Sequence, residues 1–189
     1  MEVVEHRRDA RVWTGIVTVG HGAGDSLASS LDHIMAVWSD YAGSNCENTL
    51  YASRFIEVTW SERGGWHPHI HALIVSQGEA VPAWWDTLQR ANAARAMRSG
   101  RTYDIRANSA QPWRSDADGL SYFSKGTMTG DARELKEVSG KASGLTSLLA
   151  LYHNATVCQN ATRLVREYEE TTRGRHMWGA VNRVSTRKE

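Results

Sequence analysis

Cysteine is scarce in this chain of 189 residues, and the two present, Cys46 and Cys158, lie far apart without a CxxC pair, which excludes a disulfide scaffold and a zinc knuckle. Charge of one sign is also lacking. Lys and Arg number 22 against 21 Asp and Glu, so affinity for a polyanion must come from local patches rather than from bulk charge. No apolar run approaches the roughly 18 residues needed to span a bilayer, and the charged opening from Met1 to Arg11 does not read as a secretion signal. Repeats and low-complexity blocks are missing too. These absences lead to the expectation of a soluble, cytoplasmic protein with no membrane partner, folded as a single domain.

Hydrophobic periodicity organises what is there. Val12 to His21 is rich in β-branched residues and stops at glycines 22 and 24, so it reads as a strand and turn. Asp25 and Ser26 offer cap oxygens to a helix whose Leu27, Leu31, Ile34, Met35 and Trp38 recur at helical spacing, reaching about Tyr41. Ser53–Trp60 and Trp66–Ser76 alternate as strands around a five-residue turn, which predicts an antiparallel hairpin. Pro68 marks the start of the second strand as an edge or an irregular entry. A second helix is expected over Pro82–Met97 and a short strand over Tyr103–Ala107. Further helices are expected over Asp116–Lys125, Leu145–Leu151 and Gln159–Glu170. The order β-α-β-β-α-β followed by helices predicts an α+β fold, an antiparallel sheet flanked by helices. Its core spans about 10–130, a helical segment about 131–175 and a basic tail about 176–189.

Three of the eight histidines fall within five residues, His67, His69 and His71. Alternate residues of a strand share a face, so all three imidazoles can point one way while Ile70, Ala72 and Ile74 make the other face apolar. Paired imidazoles at i and i+2 suit a divalent transition metal. Glu57 on the preceding strand can lie across from His69 or His71 and add a carboxylate, with His67 as the competing third ligand. A plain polar pair across the strands is the alternative for Glu57.

Tyr122 lies four residues after Asp118 and three before Lys125, one face if the segment is helical. A phenol with a pKa of about 10 needs help to act as a nucleophile. Lys125 can supply positive charge, and Asp118 can accept a proton from the tyrosine or from water. Basic residues gather toward the C-terminus as Arg173, Arg175, Arg183, Arg187 and Lys188. Arg173, Arg175 and Trp66 are the candidates for DNA contact. Trp60, Trp84, Trp85 and Trp113 could also stack on bases, though most tryptophans read as core.

His69-Ile-His71 followed by Tyr122-Phe-Ser-Lys125 resembles the HUH endonucleases, and the wider context is similar to the rolling-circle replication initiators of small Gram-positive and actinobacterial plasmids. Ile16–His21 with Gly24–Leu27 resembles the family's first motif, Ile56–Thr59 through Gly65–Leu73 its metal motif, and the chain from Tyr122 onward its nucleophile motif and C-terminal helices. The resemblance implies an RRM-like (ferredoxin-like) sheet, with His69, His71 and Glu57 holding Mn²⁺ or Mg²⁺ and Tyr122 attacking single-stranded DNA or an origin hairpin. A 5′-phosphotyrosine would follow, with a free 3′ hydroxyl for a host polymerase and helicase to use. Asp118 stands where the single-tyrosine branch, better known with glutamate, activates water. A relaxase or single-strand transposase would share this chemistry. From another class, a non-catalytic RRM-like nucleic-acid-binding module would place exposed aromatics where these histidines stand.

Overall fold

A computed structural model describes residues 9–22, 24–43, 49–61, 64–78, 81–105, 108–113 and 159–182. It is an α+β fold of five strands and three helices among those residues. In chain order these are β1 (Ala10–Thr18), α1 (Leu27–Gly43), β2 (Thr49–Ser61), β3 (Gly65–Gln77), α2 (Val81–Arg98), β4 (Ser109–Pro112), α3 (Gln159–Thr172) and β5 (Trp178–Asn182). The sheet is antiparallel throughout, in the order β4-β1-β3-β2-β5, which is compatible with a ferredoxin-like arrangement. None of the described helices is long and apolar enough to cross a membrane.

Alternation decides which face is buried. Val17, Ile56, Val58, Ile70, Ala72 and Ile74 project to one side and form a single core with Leu27, Leu31, Ile34 and Val37 of α1, Trp85 and Leu88 of α2, and Ala161 and Leu164 of α3. All three helices therefore cover one face, and the residues of opposite parity are left for the other. The Trp85 ring lies so close over Gly15 of β1 that a Cβ at that position would overlap it. Helix α1 begins as expected, with Ser26 Oγ accepting from Ser29 N at 3.2 Å. Glu167 of α3 accepts from Leu27 N at 3.2 Å, so a carboxylate from another helix meets the positive end of α1.

One expectation holds and two are corrected. Pro68 lies near the beginning of β3, opposite Val58 and before pairing with β1 begins, so this part of the strand is an edge on its β1 side, as the proline implied. Its carbonyl is turned toward β1, where Thr18 Oγ1 reaches it at 3.4 Å, and the β1 ladder ends at the Thr18–His69 pair. The missing N–H points the same way as the carbonyl, so it costs no ladder bond there. The short strand forms at Ser109–Pro112, and the described residues 103–105 of the stretch expected to form it are not strand. Asn108 turns inward, its Nδ2 donating to Asp104 O at 2.9 Å and its Oδ1 accepting from Thr18 N at 2.8 Å, so pairing with β1 starts only beyond it. Finally, the stretch read as the start of a basic tail contains β5, which pairs with Tyr51–Phe55 of β2 at the sheet edge. Ile56 N donates to Met177 O at 2.8 Å and the buried Arg54 donates to His176 O at 3.2 Å, fixing the entry to that strand. The helices expected over Asp116–Lys125 and Leu145–Leu151 lie outside the described residues.

Candidate metal centre

The β2–β3 register sets Glu57 opposite His69 and Phe55 opposite His71. Residues opposite one another in an antiparallel ladder project to the same face, here the one away from the helices. Glu57 Oε2 lies 2.8 Å from His69 Nε2 and 2.9 Å from His71 Nε2. Among the described residues, these three side chains are the group whose donor atoms converge closely enough to hold a metal ion. They are mostly shielded, the side chains being 21%, 15% and 8% exposed for Glu57, His69 and His71.

The donor set fits a divalent cation. Two ligands bonded at about 2.0–2.1 Å and at right angles stand about 2.9 Å apart, close to the separations seen between the carboxylate oxygen and each imidazole nitrogen. His69 Nδ1 lies 3.4 Å from His67 O, an orientation that leaves Nε2 facing Glu57. The carboxylate oxygen is within hydrogen-bond reach of both Nε2 atoms, so it is not an unpaired buried charge.

His67 shares the face but not the cluster. Its Nε2 is 3.0 Å from Thr18 Oγ1, and its ring stacks on His21 with centroids 4.3 Å apart and planes 16° from parallel. With the Thr18 hydroxyl donating to Pro68 O, its oxygen accepts from His67 Nε2–H. Parallel rings direct their lone pairs in parallel planes, so His21 and His67 cannot converge on one ion. Burial, reinforced by the neighbouring His21 and His69, pushes the His67 imidazole down to about 4, so it is neutral near neutral pH.

Behind β1 lies a buried amide network that has no motif in the sequence. Asn92 of α2, fully buried, donates to Thr18 O at 2.9 Å and to Asn108 Oδ1 at 3.1 Å, and its own Oδ1 is 2.8 Å from His33 Nε2 of α1. Gln89 donates to the Asn108 carbonyl. The end of β1 beside His69 and His67 is thereby tied to both α1 and α2.

The proposed DNA contacts fare differently. Trp66 is a correction: it has the parity of Ile70, is 3% exposed, and stacks on Tyr168 of α3 at 6.1 Å between centroids. It is a core residue with no face free for a base. Arg175 is committed within the fold, donating to Thr171 O at 2.7 Å and ion-pairing with Asp32 of α1. Arg173 is exposed just past α3. Tyr122, Asp118 and Lys125 lie outside the described residues. Tyr103, the next tyrosine to consider as a nucleophile, is held above its usual pKa by burial and then by Asp104, the wrong direction for phenolate formation. Trp178, which the sequence did not single out, is 63% exposed.

No protein-family model, no curated protein and no solved structure matches this chain.

Proposed function

We propose that the chain is a metal-dependent, tyrosine-mediated single-stranded DNA nickase of the HUH type, acting at a plasmid origin to initiate rolling-circle replication. The observation that carries this reading is the convergence of Glu57, His69 and His71 on the sheet face opposite the helices. The element order β1-α1-β2-β3-α2-β4 supports the ferredoxin-like form of the fold in which that face carries the site.

Glu57, His69 and His71 would hold Mn²⁺ or Mg²⁺, which as a Lewis acid would draw charge from a phosphate oxygen. Tyr122 Oη attacks the phosphorus, a P–O bond to tyrosine forms, and the bond to the 3′ oxygen breaks. The phenolic proton passes to Asp118 or to water, Lys125 offsets developing negative charge, and the 3′ oxygen leaves as a hydroxyl after taking up a proton. The 5′ phosphate stays on Tyr122 until a strand hydroxyl, or a water activated by Asp118, displaces it. A relaxase or a single-strand transposase would use the same steps, and the DNA sequence that is cut separates them from an initiator.

The test is a denaturing gel of the protein incubated with Mn²⁺ and a library of single-stranded origin sequences. The wild type is expected to form a covalent adduct with the 5′ product that EDTA prevents. Tyr122→Phe should form none while still binding Mn²⁺. An adduct that persists in Tyr122→Phe, or a wild type that forms none on any origin, would overturn the reading.

A further inference from the structure

We propose that Trp178 is a stacking platform for an unpaired nucleobase, holding single-stranded DNA across the sheet so that a neighbouring phosphodiester lies over Glu57, His69 and His71. The choice of DNA as occupant rests on the nickase reading.

Trp178 pairs with Phe55, Phe55 with His71, His71 with Ile16, and Ile16 with Ser109. These five residues form one row across all five strands, on the face that carries the candidate metal ligands. Phe55 packs its ring beside His71, with centroids 6.4 Å apart and planes 28° from parallel. The row thus runs without a break from the exposed indole, through a second aromatic ring, to a candidate metal ligand.

An exposed indole is costly to keep in water, and 63% exposure on an edge strand is far from the usual partial burial of tryptophan. The other large hydrophobics exposed among the described residues, Met97 and Ile105, lie on α2 and between α2 and β4, on no strand of the sheet. The next pair on that face is Ala180 with Ser53, both small, so on that side nothing bulky stands over the indole. Such a face accepts any base, since every base has a π-face, and sheet aromatics are a common platform for unpaired nucleotides. Adjacent strands are about 4.8 Å apart, which puts Trp178 about 10 Å from His71, a distance that a dinucleotide spans. An aliphatic ligand would gain nothing from the neighbouring candidate metal site, whereas a nucleotide chain can use both, its base on the indole and its phosphate at the metal ligands.

The experiment measures fluorescence anisotropy of a labelled 20-residue oligo(dT) binding to the full chain in EDTA, so that the metal does not contribute. Trp178→Ala should weaken binding about tenfold, and Trp178→Phe should recover most of it. An oligonucleotide with abasic sites should bind the wild type more weakly than oligo(dT), but should bind Trp178→Ala no more weakly than oligo(dT) does. That loss of base dependence is specific to stacking and would not follow from a general loss of structure. Photo-crosslinking of a 5-iodouracil oligonucleotide to the unaltered protein should label the peptide containing Trp178. Equal binding by wild type and Trp178→Ala, equal binding of abasic and intact DNA by the wild type, or crosslinks confined to other peptides would overturn the proposal. If such a result came with adduct formation intact, the nickase reading would stand alone. Trp178-dependent binding in a protein that never forms an adduct would leave the platform and remove the nickase.

Discussion

Glu57 and His69 face each other across the β2–β3 ladder with Oε2 and Nε2 only 2.8 Å apart, and His71 approaches the same oxygen at 2.9 Å. Neither strand makes this site alone. Alternation brings the two histidines to one face, and the register of the hairpin supplies the carboxylate.

The position of His67 yields the first prediction. Its Nε2 is engaged by Thr18 and its ring lies on His21, outside the converging group. His67→Gln should therefore retain Mn²⁺ affinity within about threefold of the wild type, measured by isothermal titration. A loss as large as that of His69→Ala would make His67 a ligand.

Asn92 should matter to stability rather than to the metal. It serves Thr18, Asn108 and His33 from a fully buried position, so Asn92→Ala takes the amide partner from the Thr18 carbonyl and the His33 ring nitrogen, while Asn108 Oδ1 keeps Thr18 N. A destabilisation of about 3 kcal/mol is expected from the urea unfolding midpoint. A change below about 0.5 kcal/mol, typical of the surface, would mean that the network does not hold the end of β1.

His33 should give stability a pH dependence. Burial holds its imidazole below the ordinary value of 6.5, with Arg101 and Arg95 pushing the same way and the Asn92 hydrogen bond opposing. Below pH 6.5 the unfolded chain takes up a proton that the folded one refuses, so stability falls as pH drops through that value, while above it His33 contributes no slope. Unfolding midpoints measured from pH 8 to 5 should slope less below 6.5 in His33→Gln than in the wild type. Identical slopes would contradict this account of the buried ring.

Much of the architecture was legible because it is local. The β2–β3 hairpin, α1, α2 and α3 follow from alternation, helical spacing and cap residues within a few positions of one another. The candidate site was legible for the same reason, since the histidines are adjacent in one strand and Glu57 lies one hairpin away. What escaped depends on distant partners. Pro68 marked the open side at the start of β3, but that the rest of this strand is central depends on β1, which stops at Thr18 some 50 residues earlier. The five residues of β5 look like a tail until β2 pairs with them across more than 120 positions. Asn92 and Asn108 carry no motif, and their role exists only once α1, α2 and β1 are packed. Trp66 is different, because its parity with Ile70 already marked it as core.

Uptake of a cation by Glu57, His69 and His71 is the property from which the proposed chemistry follows. Electron paramagnetic resonance of free Mn²⁺ during titration with the protein tests this directly. The wild type should remove about one equivalent from the free signal, and Glu57→Ala, His69→Ala and His71→Ala should each weaken that uptake by on the order of a hundredfold or more, while remaining folded by circular dichroism. A wild type that leaves the signal unchanged, or folded variants that take up Mn²⁺ as the wild type does, would contradict the assignment of the metal to these three residues.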